Sequence, residues 1–126
     1  MRMWMVDVRV LCRQHLLAEH LELHMFLGSI NKEVHLDGYF NNDLFEPGSM
    51  HIRHDDLVME MRKRGYNHKT PLDMFDVTYF TPTEINHKIN RKNSLQILLS
   101  RCLECKDNYI DLINKGLIVN ILGDFI

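Results

Sequence analysis

The first 26 residues, MRMWMVDVRVLCRQHLLAEHLELHMF, constrain the fold more than any other segment. Leu16, Leu23, Leu27 and Ile30 recur at i, i+7, i+11 and i+14, an apolar stripe that a helix must bury. Leu17, Leu21 and Met25 are expected to widen it. On a neighbouring face His15, Glu19 and Glu22 fall at i, i+4 and i+7, one stripe on a helix that turns every 3.6 residues. The spacing predicts a helix over residues 8–34, with Asp7 as its cap because a side-chain oxygen there can accept from an orphan N–H. Residues 1–6 read as an extended arm anchored by Trp4. An α-amine near a helical carboxylate would be an amine nucleophile with an acid/base partner.

The rest of the chain continues the helical reading. Residues 35–49 are dense in Gly, Asn, Asp and Pro, which predicts a loop. A second helix is expected over 51–64, with Leu57, Val58 and Met61 inward. Gly65 should end it, since glycine takes positive φ without steric cost. Residues 70–90 are ambiguous. DVTYF has strand propensity, whereas TPTE suits a helix start, with Thr83 as cap or with Thr81 as cap, Pro82 at N1 and Glu84 at N3. A third helix is expected over 92–105, then a short one over 107–115 stopped by Gly116. The apolar tail LIVNILGDFI should pack on the core. Without repeats or a linker, the expected architecture is one all-α domain over residues 1–126, three main helices and an extended N-terminal arm.

Composition sets limits on function. A chain of 126 residues suits one modest core. No apolar run nears the roughly 20 residues that span a bilayer, and the N-terminus is too short and charged for a secretory signal. The expectation is a soluble cytoplasmic monomer, made in a bacterium or a phage-infected cell, without membrane contact. Three cysteines, an odd number, argue against a disulfide framework. Cys102 and Cys105 form a CxxC that no second pair follows, and LLSRCLECKD reads as continuous helix. They are therefore read as helical thiols, and no metal site is expected, since zinc usually needs four ligands. Net charge is −2, unhelpful for holding DNA. Basic residues do gather in two runs: Arg53, Arg62, Lys63, Arg64, His68 and Lys69, then His87, Lys88, Arg91 and Lys92.

Three segments carry a resemblance. QHLLAEHLEL (14–23), RKRGYNHK (62–69) and, more weakly, residues 94–101 resemble the pyrimidine-dimer DNA glycosylase/AP lyase family, the phage-type endonuclease V. The resemblance implies that an N-terminal α-amine attacks C1′ of a damaged nucleotide, expels the base and forms a Schiff base. β-Elimination of the 3′ phosphate then follows. It implies double-stranded DNA containing a damaged or modified base as partner, and no cofactor. The prototype of the family loses its initiator Met and uses the next residue. Here the chain is one residue shorter before Gln14–His15, and the bulk of Arg2 should prevent Met removal. Met1 therefore aligns with the family's amine, Glu22 with its catalytic carboxylate, and Arg2, Gln14, His15 and Arg101 with DNA-contacting positions. An α-amine suits the task because its reference pKa of about 7.7–8.0 leaves part of it neutral near pH 7. Arg2 beside it should disfavour its protonation by like charge. Glu22, ionised, would favour an oxocarbenium-like centre and exchange protons.

The same alignment marks departures. Leu21 and Met25 stand where the family has arginines that grip DNA, and the aromatic, basic C-terminal tail of the family is replaced. Gln14 suits a backbone contact, and His15 suits either a phosphate or a core edge. Glu19 is read as structural and Trp4 as a packing anchor. The sequence leaves three functions open: a dimer-specific glycosylase/lyase, a glycosylase for another modified base, and a non-catalytic DNA-binding or interaction module of the same fold.

Overall fold

In the computed structural model, which describes residues 1–123, Cys12 and not Asp7 starts the first helix. Cys12 adopts extended φ/ψ and its Sγ accepts from the His15 amide. Asp7 folds back on Arg9 instead, accepting from its backbone N–H at 3.0 Å and from its guanidinium at 3.0 and 2.8 Å. Its oxygens are thus occupied in a turn. Helix α1 spans Arg13–Asn31, shorter at both ends than residues 8–34. Leu16, Leu23, Phe26, Leu27 and Ile30 are buried along it as the stripe requires. Leu21 and Met25 do not widen the stripe: they are 60% and 47% exposed.

The 35–49 loop contains the short helix α2, Asp37–Asn41, and a 3-10 turn at Pro47–Ser49. Helix α3, Met50–Lys63, follows and packs against α1. Gly65 takes φ +84° and lets Tyr66 N–H reach the Met61 carbonyl at 2.8 Å, which closes the helix end. The ambiguous segment resolves without a strand. Residues Val77–Tyr79 form a 3-10 turn, and Thr81 caps α4, Pro82–Ile85, in a reciprocal capping box with Glu84. Strand propensity alone builds nothing without a partner strand, and none exists among the described residues. Gly48 approaches this unit closely: a Cβ there would stand 2.6 Å from the Ile85 carbonyl oxygen.

The helix expected over 92–105 is two helices. Helix α5 spans Arg91–Arg101 and α6 spans Leu103–Asn114, broken at Cys102, whose φ −131° and ψ 109° are extended. The two pack on each other. Gly116 ends the second at φ +70°. Of the tail, Leu122 is buried and Ile118 packs on the core. Residues 124–126 lie outside the described range.

The arm belongs to the core. Met3 is fully buried and Trp4 is 6% exposed. Met3 N–H donates to the Leu44 carbonyl at 2.8 Å, Ser94 Oγ donates to the Trp4 carbonyl, and Asn108 Nδ2 donates to the Val10 carbonyl at 3.1 Å. The arm therefore ties α1 to α5 and α6. No helix among the described residues is long and apolar enough to cross a membrane.

Candidate active site

The arm returns the chain start to the second half of α1. The Met1 amine lies 4.0 Å from Glu22 Oε1, with side chains only 14% and 26% exposed. The Arg2 backbone N–H also favours the ionised Glu22 carboxyl. Burial raises the Glu22 pKa above the ordinary carboxylate value. The terminal amine, the Arg2 N–H and the Arg2 charge oppose that shift, while Glu19 adds to it. The pair is thus a half-buried amine and carboxyl held together by helix register and arm length.

Arg2 stands over Trp4, its guanidinium carbon 3.7 Å from the ring centroid. Its Nη2 donates to Ser94 Oγ at 3.3 Å, whereas buried Nε has no hydrogen-bond partner among the described residues. Burial, then the charge of Arg101, lowers the Arg2 pKa. Arg101, exposed in the last turn of α5, is therefore near enough to add to the same positive field. Trp4 is the platform for Arg2 as well as a packing anchor.

The other stripe residues diverge. Glu19 is fully buried and takes two bonds from Arg53, at 2.6 and 2.8 Å, while Arg53 Nη1 donates to the Val6 carbonyl at 2.6 Å. It is structural. His15 sets Nδ1 3.1 Å from the Cys12 sulfur and its ring edge-on to Trp4, with centroids 5.8 Å apart. Gln14 is exposed on the first turn of α1.

The basic runs do not make two free patches. Arg53 is buried on Glu19, and Arg64 bonds Glu60 and the Val8 and Leu11 carbonyls. Arg91 and Lys88 face buried Glu46, which also accepts from Ser49 and the Ile89 N–H, and His87 bonds Asp43. Arg62, Lys63, Lys69 and Lys92 remain at the surface.

Two groupings escaped the sequence reading. Cys12, His15, Cys102 and Cys105 bring their ligand atoms within 4.8 Å of one another, as do His20, His54 and His68. For the first, a signal existed: Cys12-x2-His15 repeats the spacing of Cys102-x2-Cys105 from 90 residues upstream. LLSRCLECKD is not unbroken helix, since extended Cys102 ends α5 and caps α6. The second grouping joins α1, α3 and the loop beyond, and no single-segment spacing announces it. His24 completes this ring cluster, 4.9 Å from His20 and 5.3 Å from His54. Ser94, beneath Arg2, opens the weakly resembling segment 94–101 but was assigned no role there.

Comparison with known proteins adds one finding. The family described as pyrimidine dimer DNA glycosylase matches residues 1–74. This span holds the arm, α1 and α3. No curated protein and no solved structure matches the chain significantly.

Proposed function

Because this chain belongs to the pyrimidine dimer DNA glycosylase family, we propose that it excises a damaged base, a pyrimidine dimer first, through a Schiff base on the Met1 amine. β-Elimination completes an AP lyase reaction. The observation that supports this reading is the 4.0 Å approach of the Met1 amine to half-buried Glu22. In the proposed sequence the neutral amine attacks C1′ of the deoxyribose. The N-glycosidic bond breaks, and its electron pair leaves with the base. Glu22, ionised, stabilises positive charge developing at C1′ and accepts the proton that the amine must lose. The sugar ring opens to a protonated imine, loss of a C2′ proton follows, and the C3′–O bond breaks to release the 3′ phosphate.

Arg2 and Arg101 are proposed to favour phosphates flanking the lesion, Arg2 through its charge and Arg101 through its exposed head. Gln14 would contact the backbone beside them. His15, with Nδ1 against Cys12, has only Nε2 to offer DNA. Reaching C1′ requires extruding a nucleotide, at a few kcal/mol, which favours already weakened pairs.

A second reading, a non-catalytic DNA-binding or interaction module, draws on the internal pairing of Arg53, Arg64 and Arg91 and on exposed Leu21 and Met25. One experiment separates them. Protein with a native N-terminus is mixed with duplex carrying one cyclobutane dimer or one abasic site, then treated with borohydride. A covalent adduct is expected, lost when one residue is added before Met1. Glu22→Gln should lower base excision by about 10²–10⁴-fold. No adduct on any lesion, with equal affinity for damaged and intact duplex, would establish the module instead.

A further inference from the structure

We propose that Cys12, His15, Cys102 and Cys105 form a structural zinc site that fastens the start of α1 to the α5–α6 junction. It is separate from the Met1–Glu22 pair and does not depend on the catalytic reading.

The geometry carries the proposal. Two short motifs with equal spacing, 90 residues apart, converge so that the Cys12 and Cys102 sulfurs are 3.9 Å apart. His15 Nδ1 stands 3.1 Å from the Cys12 sulfur and 3.8 Å from that of Cys105. A tetrahedral zinc, with Zn–S of about 2.3 Å and Zn–N of about 2.0 Å, holds its ligand atoms ~3.5–3.8 Å apart. Three thiols and one imidazole are a donor set that zinc favours, and four protein ligands leave no open position for substrate.

Backbone N–H groups point at all three sulfurs. Cys12 N–H donates to Cys105 Sγ at 3.2 Å, His15 N–H to Cys12 Sγ at 3.4 Å, and Cys105 N–H to Cys102 Sγ at 3.4 Å. Such donors stabilise sulfur that carries charge. Cys12 and Cys102 are also the N-caps of α1 and α6, so two helix N-termini point at the cluster. Cys12 and Cys105 are buried and all three cysteines are free thiols. The effect of the metal would pass along contacts already described: His15 bears on Trp4, and Trp4 carries Arg2.

The test uses untagged full-length protein purified under a reducing agent without added metal. Elemental analysis should find about one zinc per chain. Replacement with Co2+ should give tetrahedral d–d bands and thiolate charge-transfer absorption. Cys102→Ser keeps a good helix cap. It should lose about a third of the charge-transfer intensity and weaken zinc binding beyond the roughly 100-fold that outer partners cause. His54→Ala, in the histidine cluster, should change neither. Chelation should lower the Tm. If Cys102→Ser does not fold, the wild-type cobalt spectrum still reports the number of thiolates. Less than about a tenth of an equivalent of zinc together with no tetrahedral cobalt spectrum overturns the proposal. So does metal lost in His54→Ala but kept in Cys102→Ser.

Discussion

Glu22 titrates above the ordinary carboxylate range because burial outweighs the amine and Arg2 beside it. The direction has two consequences with opposite signs. If the ionised form works in base excision, single-turnover rate should fall as pH drops through this raised pKa. The acid limb then lies above the usual value of about 4.3. A pH–rate profile checks this, and in Glu22→Gln the limb should vanish along with most of the rate. For stability, a carboxyl that binds its proton more tightly when folded favours folding below its unfolded pKa. That contribution fades as pH rises through the folded one. Arg2 belongs to the same scale: its guanidinium lies on Trp4 and bonds Ser94. Arg2→Lys keeps the charge and loses the flat stacked fork, so it should weaken DNA binding more than charge counting suggests.

Between elements, Glu19 and Arg53 form a two-bond pair with both partners buried, linking α1 to α3. Removing one partner leaves the other charged and dry. Glu19→Ala should cost about 3–5 kcal/mol in urea unfolding, whereas exposed Gln14→Ala should cost little. Gly48→Ala should also destabilise, since its Cβ would meet the Ile85 carbonyl at 2.6 Å, backbone that has nowhere to turn. These features divide what a sequence makes legible from what it hides. The Leu16–Ile30 stripe and the Gly65 and Gly116 stops were readable, because each depends on local spacing or local stereochemistry, whereas local sequence left Thr81 and Thr83 both open as the α4 cap. The start of α1 was not: a thiol is an uncommon cap, and the better cap, Asp7, was taken by Arg9. Nor was the burial of Arg53, Glu46 and Arg91 readable, because what permits a buried charge is a partner from a distant segment. In the candidate site, the register of the family resemblance paired Met1 with Glu22, whereas the Arg2–Ser94 contact and the Cys12–Cys105 convergence depend on how α5 and α6 fold back.

At the scale of the whole molecule, His20, His24, His54 and His68 from α1, α3 and the loop beyond meet in one ring cluster. Burial, then repulsion from the other three, holds His20 down at about 4. His24 and His54 are lowered too, with burial the first cause, opposed by Asp73 for the former and Asp55 for the latter. The unfolded chain takes up protons near the ordinary histidine value of about 6.5, before folded His20 does. Stability should therefore be full above that value, decline as pH falls below it, and reach its lowest contribution from this group near 4. Urea midpoints measured down this range check the trend, and His20→Gln should flatten it. The last property concerns time. The arm is joined to Ser94 and Asn108 across separations of 90 and 98 residues. It is synthesised well before these anchors. At about 5–20 residues per second, the end that bears the amine waits on the order of 5–20 s for the segments that seat it. Seating of the Met1–Glu22 end therefore depends on α5 and α6 having been made, however early the arm and α1 are synthesised.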